Sequence, residues 1–426
     1  MMKTKRHSFR FRLWNKLQGI NELRWYRSNL QISIRTKSST VRIPVKANRL
    51  FTISLSAALV MSILLSCSDK KDKAGPQETN NNATNVLAAV NLKAIGRFEI
   101  ADQKLELIGT ASNFEVSFEG KTCAIIASIV SYQDHNYIQY ELDGTYQKKL
   151  SIKGGGKTDS LTIDGLADGP HKLRVFKVTE ATTGPVYIHR LVAKNVKPID
   201  IAALPVIEFI GNSITCGAGS DTAEFPCGTG ITYLDQHNGY KAYGPTLARM
   251  LNTNFIVSSV SGIGMYRNWN SDGPTMPQVY DKLDLKVTST RTWNYQKYSP
   301  KIVSIALGTN DFSNGDGTTP RLAFDSVAFT RTYVDFAKNI KTKYPNTNIV
   351  LINSPMITGT KNQIYKDCLE RVKSRVNKEM PNGRPVNVFF FTSTITPHGC
   401  GGHPNTDEHQ QMAEQLRPYF KTLIDL

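Results

Sequence analysis

The chain has 426 residues and a formal net charge of +17, and this length allows two domains with buried cores. The charge is concentrated at the front, because residues 1–50 contain 13 lysines and arginines and one acid, Glu22. The other 376 residues share a net charge of only +5 and have no basic runs. This distribution argues against a body that binds nucleic acid.

An apolar run over residues 50–66 follows Arg42, Lys46 and Arg49. A positive flank, a hydrophobic centre and small residues before a boundary are typical of a secretory signal peptide. Residues 1–67 are therefore predicted to be a basic segment plus a signal peptide, and the basic front, residues 1–40, suggests a start codon assigned too far upstream. A transmembrane anchor is the less favoured alternative, since the run is shorter than about 20 apolar residues.

The end of this run, Leu64-Leu65-Ser66-Cys67, resembles a bacterial lipobox, in which the cysteine is acylated and becomes the new N-terminus. The resemblance implies a lipid on Cys67 that anchors the protein to a membrane without spanning it. Residues 68–85 are charged and then rich in Asn and Thr, which predicts a flexible tether. We therefore expect secretion through the inner membrane and lipid anchoring in the cell envelope, periplasmic or at the cell surface.

Residues 86–197 show strand patterns without helical ones, separated by turn signals such as Asp143-Gly144 and Asp168-Gly169-Pro170. Short strands at this spacing predict an antiparallel β-sandwich of the jelly-roll kind. The predicted strands are Lys104 to Ile108, Phe114 to Phe118, Cys123 to Val130, Tyr137 to Leu142, Lys148 to Ile152, Ser160 to Ile163, Lys172 to Val178 and Val186 to Val192.

The pattern changes over residues 198–426, where apolar strands alternate with amphipathic helices. Alternation of this kind predicts an α/β domain with a parallel sheet covered on both faces. The predicted strands are Val206 to Ile210, Phe255 to Val260, Ile302 to Leu307, Ile349 to Asn353 and Val386 to Phe391, and the predicted helices are Tyr240 to Leu251, Arg321 to Lys343, Gln363 to Glu379 and Asp407 to Ile424.

Four polar or glycine positions fall just beyond the carboxyl ends of these strands, where ligands bind in open parallel sheets. Ser213 is a candidate nucleophile and His403 a candidate base, because imidazole titrates near neutrality. The amide of Asn310 and the backbone N–H groups of Ser213 and Gly262 are candidate oxyanion donors. Together they predict acyl transfer, with no cofactor.

Each assignment has a competitor in the sequence. Gly264 competes with Gly262 for the oxyanion role. His398 precedes the block that holds His403, and His409 lies in a predicted helix, where a solvated or capping role is expected.

The cysteine pairing is left open. Cys216 and Cys227 could close a short loop near the serine, but connectivity does not follow from sequence. No cysteine or histidine spacing matches a zinc site, so no metal is expected.

The blocks Gly211-Asn212-Ser213, Ser261-Gly262, Gly308-Thr309-Asn310-Asp311 and His403-Pro404-Asn405 resemble the four signature blocks of the SGNH, or GDSL, hydrolases. The preceding sandwich and the extended serine and histidine blocks, the latter followed by His409-Gln410, are most similar to carbohydrate esterase family 2. The resemblance implies a three-layer α/β/α hydrolase domain behind a sandwich domain. It also implies an enzyme that removes acetyl groups from plant polysaccharides such as xylan and glucomannan.

Two positions depart from the family pattern. Asn212 replaces the usual Asp, and the acid expected two or three residues before the histidine is absent, since Cys400 and Gly401 stand there. A third triad member orients the imidazole and stabilises its charged form. Some members of the esterase family work as Ser-His dyads with a backbone carbonyl holding the ring, so the resemblance implies a dyad here.

Two other functions fit the same blocks. The same dyad could act on lipid esters or on O-acetylated peptidoglycan, or the domain could be a decayed, carbohydrate-binding lipoprotein. A long segment between Met265 and Tyr298 carries four aromatic residues, which either line a sugar cleft or anchor the loop to the core. They are Tyr266, Trp269, Trp293 and Tyr295.

Overall fold

A computed structural model describes residues 31–35, 40–44, 84–228, 230–318 and 320–425. The predicted signal peptide run, Cys67 and nearly all of the tether lie outside these residues. Two strands, β1 (Gln31–Arg35) and β2 (Thr40–Pro44), pair antiparallel. They belong to one compact unit, Met1–Gln77, and every other element belongs to a second unit, Glu78–Leu426.

The first half of the second unit is an antiparallel domain. Its strands are β3 (Thr84–Ala88), β4 (Ala94–Ile95), β5 (Phe98–Ala101), β6 (Lys104–Leu107), β7 (Asn113–Ile129), β8 (His135–Leu142), β9 (Thr145–Lys153), β10 (Asp159–Ile163), β11 (Pro170–Lys177) and β12 (Val186–Pro198). All of the pairings among them are antiparallel. Short 3-10 turns lie at Ala89–Asn91 and Ala181–Thr183.

The long strand β7 organises this domain, because it pairs with β4, β10, β11 and β12. The sequence predicts two strands here, but the structure has one of 17 residues. Gly120 adopts a φ of 89° within it, so the chain changes direction without leaving the sheet. Alternate side chains of β7, such as Val116 and Phe118, are buried in the hydrophobic core of this domain. This is expected of a strand that has one face towards the core.

The second half is built on a five-stranded parallel sheet. Its strands are β13 (Val206–Gly211), β14 (Asn254–Ser259), β15 (Ile302–Ala306), β16 (Asn348–Ile352) and β17 (Val386–Phe389), in the spatial order β14-β13-β15-β16-β17. The strand order reverses beside β13, so β13 and β15 flank the switch point where doubly wound sheets bind ligands.

Helices cover both faces of this sheet. They are α1 (Ser213–Cys216), α2 (Tyr243–Met250), α3 (Met276–Val279), α4 (Thr309–Phe312), α5 (Ser326–Lys343), α6 (Gly359–Glu379) and α7 (Thr406–Asp425), with a 3-10 turn at Cys400–Gly402. The apolar sides of α2 and α7 pack in one core with Phe209, and those of α5 and α6 pack in another with Ile210. Neighbouring residues of one strand thus face opposite helical layers. No helix in the described ranges is long and apolar enough to cross a bilayer.

Three predicted helix starts need correction. Helix α2 begins at Tyr243, after the predicted Tyr240, and α6 begins at Gly359, before the predicted Gln363. The largest difference is at α5. Helix α5 begins at Ser326, five residues after the predicted start at Arg321, because the Asp325 side chain accepts the N–H groups of Val327 and Ala328. An aspartate in this arrangement caps a helix N-terminus. The segment before it is irregular, which places Arg321 in a loop beside the candidate site.

Candidate active site

The end of β13 is a tight turn that holds Ser213. Asn212 caps α1, because its side-chain oxygen accepts the Ile214 N–H at 3.1 Å. Gly217 ends the helix with a φ of 68°, and a Cβ there would lie 2.4 Å from the carbonyl oxygen of Asn238. Ser213 is 9% exposed, and its N–H belongs to the first helical turn, which has no partner within the helix.

The loop after β14 carries the two glycines that compete for the oxyanion role. The Gly264 N–H donates to the side-chain oxygen of Asn268 at 3.0 Å, so it is already engaged. The Gly262 carbonyl accepts the Trp269 N–H at 2.8 Å, and among the described residues no acceptor pairs with the Gly262 N–H. A Cβ at Gly262 would meet nothing within 4 Å. The geometry therefore favours Gly262 over Gly264.

Asn310 lies on α4, directly after β15, and is held against the same loop. Its Nδ2 donates to the carbonyl of Ile263 at 2.7 Å, one residue after Gly262. An amide nitrogen has two hydrogens, so one donor remains. The chain turns at Gly308 with a φ of 148°, where a Cβ would lie 2.5 Å from the ring of Tyr365.

The next residue, Asp311, accepts hydrogen bonds from the loop that carries Gly262 and Gly264. Its carboxylate accepts the N–H groups of Met265 at 2.9 Å, Tyr266 at 2.8 Å and Arg267 at 3.2 Å. Burial raises the pKa of Asp311 to about 6, and these N–H donors oppose that shift. The carboxylate is therefore ionised at neutral pH, in the form that accepts all three donors.

His403 is held by a backbone carbonyl in place of a carboxylate. Its Nδ1 lies 2.9 Å from the carbonyl oxygen of Cys400. A carbonyl only accepts, so Nδ1 carries the hydrogen and Nε2 is left as an acceptor in the neutral ring. Burial lowers the pKa of His403, while the Cys400 carbonyl and the charge of Glu180 oppose that effect. The ring is thus neutral and oriented for a base at Nε2.

The histidine loop is fastened to the segment that follows Ser213. The Cys400 N–H donates to the carbonyl of Gly219 at 2.7 Å. Gly219 has a φ of 66°, and a Cβ there would lie 2.4 Å from the Cys400 oxygen and 3.2 Å from Nδ1 of His403. Only a glycine lets these two segments approach so closely. The structure therefore brings the serine and histidine loops together at one end of the sheet.

A disulfide joins Cys400 to Cys227 across 173 residues of sequence. The short loop between Cys216 and Cys227 that the sequence allowed is not formed. Cys216 is a free, buried thiol, like Cys123 and Cys368. Burial raises the pKa of Cys216 well above its usual range, so it remains a protonated donor.

The two competing histidines have structural roles. The Nδ1 of His398 pairs with Glu408 at 2.5 Å, and the His398 side chain is 70% exposed. His409 is fully buried, so the solvated role expected from the sequence is wrong. Its Nδ1 accepts the N–H of Tyr243 at 3.3 Å, at the start of α2. His409 therefore caps α2, although it lies in α7. Burial lowers the pKa of His409 to about 3.

The aromatic residues of the long segment divide unequally between the two predicted roles. Trp293 is buried and its indole N–H donates to Tyr344 at 3.3 Å. Tyr266 and Tyr295 pack against the hydrolase core. Trp269 alone of the four is strongly exposed, at 44%, and its N–H bonds to Gly262. Three of them anchor the loop, and Trp269 is left as a candidate wall of the cleft.

Sequence reasoning missed the groups that the antiparallel domain and a distant loop bring to the site. Glu180, from the antiparallel domain, accepts the Ser261 N–H at 2.5 Å. The Tyr233 hydroxyl donates to the Ser261 hydroxyl at 2.6 Å, and the buried His237 bonds to the Tyr233 carbonyl at 2.8 Å. None of these residues follows a strand of the parallel sheet, so the pattern that identified the other site residues does not reach them.

Both halves of the unit match described protein families. Residues 94–200 match the carbohydrate esterase 2 N-terminal family, and residues 207–416 match the GDSL-like lipase/acylhydrolase family.

Individual relatives cover both regions. The cellulase/esterase CelE of Acetivibrio thermocellus is 29% identical over 343 residues, which are 77% of this chain and 39% of that protein. An acetylxylan esterase/glucomannan deacetylase of Cellvibrio japonicus is 27% identical over 315 residues, covering 71% of this chain and 81% of that protein. The chain thus spans less than half the length of the first relative and most of the second.

A solved structure has the same arrangement. A family two carbohydrate esterase from Clostridium thermocellum, in complex with cellohexaose, superposes with a TM-score of 0.67 at 27% identity. The match covers 79% of this chain and 98% of that chain. An antiparallel domain in front of a parallel-sheet domain is therefore shared by the two proteins.

Proposed function

Since the chain is a two-domain SGNH/GDSL hydrolase that is most like carbohydrate esterase family 2, we propose that it is a serine esterase. It removes O-acetyl groups from plant-type polysaccharides or oligosaccharides, and xylan and glucomannan are the expected substrates. The observation that carries this proposal is the contact of His403 Nδ1 with the Cys400 carbonyl. This contact orients the base without a carboxylate and leaves Nε2 free for the proton of Ser213.

The reaction runs in two acyl transfers. Ser213 Oγ attacks the acetyl carbonyl carbon while His403 Nε2 takes the hydroxyl proton. The tetrahedral intermediate collapses, the bond to the sugar oxygen breaks, and that oxygen takes the proton from His403. Water then attacks the acetyl-Ser213 ester, again giving a proton to His403, and acetate leaves as Ser213 recovers its proton.

The negative oxygen of each intermediate needs donors that are already in place. We assign this role to the N–H groups of Ser213 and Gly262 and to the free amide hydrogen of Asn310. Removing one such donor typically costs about 10²–10³ in turnover. The hydrogen bond from Asn310 to Ile263 and the contacts of Asp311 keep these groups in position before the substrate arrives.

The substrate class rests on the relatives and on the exposed aromatic side chains beside the site. One relative is named an acetylxylan esterase/glucomannan deacetylase, and one solved relative was crystallised with cellohexaose. Trp269 and Tyr233 are 44% and 45% exposed near the glycine loop, and aromatic faces of this kind pack on sugar rings. We take the antiparallel domain to be a jelly-roll that braces this cleft.

A decayed, non-catalytic domain is less well supported. Its main argument was the missing acid before His403. The Cys400 carbonyl holds the same ring nitrogen that the acid would hold, and the open space at Gly262 gives the substrate room.

Acetate release from acetylated xylan, acetylated glucomannan and 4-nitrophenyl acetate tests the function. The Ser213→Ala variant, with an unchanged circular dichroism spectrum, is the matched control. We expect release that depends on Ser213 from at least one of the polysaccharides. Fatty-acid release from long-chain esters and acetate release from O-acetylated peptidoglycan are measured in parallel, and activity restricted to one of these would move the assignment to that substrate. Full activity of the variant would contradict Ser213 as nucleophile.

We also propose that Cys67 carries a lipid that anchors the protein in the cell envelope. The sequence before it supports this, and the Cys227–Cys400 disulfide is of a kind that persists in oxidising compartments. Expression in a Gram-negative host with labelled palmitate tests it. We expect label in the membrane fraction that is lost in Cys67→Ser, whereas label in both proteins would contradict the site.

A further inference from the structure

Glu180 is a buried carboxylate that crosses from the antiparallel domain into the hydrolase domain. It follows β11 and is 5% exposed. Its Oε2 accepts the Ser261 N–H at 2.5 Å and the Cys216 thiol at 3.2 Å. Ser261 immediately precedes Gly262, and Cys216 ends the helix that Ser213 begins. One carboxylate oxygen therefore joins the serine turn to the candidate oxyanion loop.

Glu180 is also held by contacts within its own domain. The Thr182 hydroxyl donates to its Oε1 at 2.9 Å. The ammonium of Lys177, which is fully buried, donates to the main-chain carbonyls of Glu180 and Thr179 at 2.7 Å each. Burial lowers the pKa of Lys177 to about 7, while Glu180 and Cys216 oppose the shift. The carboxylate thus has a fixed position before any substrate binds.

The charge of Glu180 also acts on the catalytic histidine. No hydrogen bond joins the two side chains in the part of the chain that is described, but Glu180 favours the protonated form of His403 through space. The other titratable groups around this pair are few. His237 and His409 interact with His403 and are neutral, because burial lowers their pKa values to about 4 and about 3. Lys177, Cys216 and Tyr233 interact with Glu180.

We propose that Glu180 is a positioning residue of the esterase, which fixes the Ser261–Gly262 turn for the oxyanion and stabilises the imidazolium of His403 during acyl transfer. This inference rests on the proposed function. It assigns to the antiparallel domain part of the work that the third triad carboxylate does elsewhere, although Glu180 does not touch the ring.

Two substitutions separate the two roles. Glu180→Gln keeps an oxygen for the Ser261 N–H but removes the charge, so the acid limb of kcat/KM should move to lower pH. Glu180→Ala also releases the Ser261–Gly262 turn, and we expect kcat to fall by a further factor of about 10–100, toward the loss of one oxyanion donor, with little change in KM. Glu141→Gln is the matched control, since Glu141 is another carboxylate across the same interface, bonded to Tyr240 at 2.5 Å, and should change neither quantity.

A second measurement does not need turnover. The ring of His403 can be titrated by NMR in full-length Ser213→Ala protein, with and without Glu180→Gln, using His403→Ala for assignment. We expect the pKa of His403 to fall when the charge is removed. The proposal would be overturned if the pKa of His403 is unchanged, or if the variants lower only the melting temperature. The NMR comparison with Glu180→Gln gives this answer even if Glu180→Ala fails to fold. Absence of esterase activity in the unmodified protein would instead overturn the proposed function.

Discussion

The His403 ring is held by the Cys400 carbonyl, and this choice of partner has a chemical consequence. A carboxylate would stabilise the imidazolium by its full charge, whereas a carbonyl does so only by its dipole. Burial therefore dominates, and it lowers the pKa of His403 below the usual value of about 6.5. As the proposed base, His403 is therefore expected to stay neutral into mildly acidic conditions.

We predict that the acid limb of the kcat/KM profile has its midpoint below pH 6.5. Activity of a general base is lost when it is protonated, so a lowered pKa moves the loss to lower pH. Acetate release at a series of pH values measures this, with fluorescence in the same buffers to show that the protein remains folded. A midpoint above pH 6.5 would contradict a buried base without a carboxylate.

A second prediction concerns Trp269. Its exposed ring lies on the segment bonded to Gly262, where its apolar face can pack against a sugar ring. Trp269→Ala should therefore raise KM for an acetylated oligosaccharide by up to about tenfold. The value for 4-nitrophenyl acetate should change little, because this small ester does not extend to the ring.

Trp269→Phe serves as the control, since it keeps an aromatic face. It should retain most of the affinity for the oligosaccharide. An equal effect of Trp269→Ala on both substrates would show that the residue shapes the loop instead of binding sugar.

At this scale the sequence predicted the residues that follow strands and missed those that come from elsewhere. Ser213, Asn310 and His403 were predicted as site residues because the carboxyl ends of parallel strands converge. Glu180 precedes Ser261 by 81 residues, and the partner of Cys400 is 173 residues away. No local sequence pattern predicts contacts between residues so far apart in the sequence.

Among the elements, the Cys400–Gly402 turn depends most on a covalent constraint. Gly401 and Gly402 adopt φ values of 63° and 74° in or next to the left-handed region, so this short turn is not a regular helix. The disulfide to Cys227 fixes one end of it, next to the carbonyl that holds His403. The orientation of the base thus depends on a loop that is distant in sequence.

We predict that Cys227→Ser lowers both stability and kcat. Loss of a native disulfide typically costs about 2–5 kcal/mol, and the freed turn holds His403 less well, so kcat should fall more than KM changes. Melting temperature and acetate release measure the two effects. Dithiothreitol should bring the unmodified protein to the level of the variant and leave the variant unchanged.

Cys368→Ser is the matched control, because Cys368 is a free, buried thiol in α6. It should keep normal kcat with and without dithiothreitol. If Cys227→Ser retains full kcat at a temperature where it is folded, the disulfide does not position the base.

The elements themselves followed from periodicity more closely than the turns between them. All five parallel strands overlap the predicted ones, because buried apolar runs of this length have few alternatives. The two predicted strands that form β7 were separated by Gly120, which bends a strand as easily as it ends one. Helix α5 begins where Asp325 caps its N-terminus. Hydrophobic periodicity alone does not predict the position of such a cap.

In the second unit as a whole, polar contacts fasten the antiparallel domain to the parallel one. Lys149 pairs with Asp221 at 2.8 Å, with both side chains almost fully buried, and Gln139 bonds to Asn238 at 2.7 Å. Buried polar groups of this kind are costly unless each finds its partner. The two domains are therefore expected to unfold together, and the antiparallel domain acts as a fixed part of the site.

Arg97 is the largest fully buried side chain among these contacts. It belongs to the antiparallel domain and is fully buried, with its guanidinium 3.9 Å from Glu208 on strand β13 of the parallel sheet. It donates to the Ser258 hydroxyl at 2.8 Å and to the Lys282 carbonyl at 2.7 Å, and it lies 4.5 Å from the Trp293 ring centre. Removing it would leave the Glu208 carboxylate buried without its cation.

We therefore predict that Arg97→Met lowers the free energy of unfolding by about 3–5 kcal/mol, the cost of breaking a buried ion pair from one side. Because Glu208 is the uncompensated charge, the double variant Arg97→Met, Glu208→Gln should recover part of that loss. Urea unfolding followed by both fluorescence and circular dichroism measures the values and shows whether one transition remains. A decrease in the free energy of unfolding of less than about 1 kcal/mol, or no recovery in the double variant, would mean that the pair does not hold the domains together. Two separate transitions would show that the domains unfold independently.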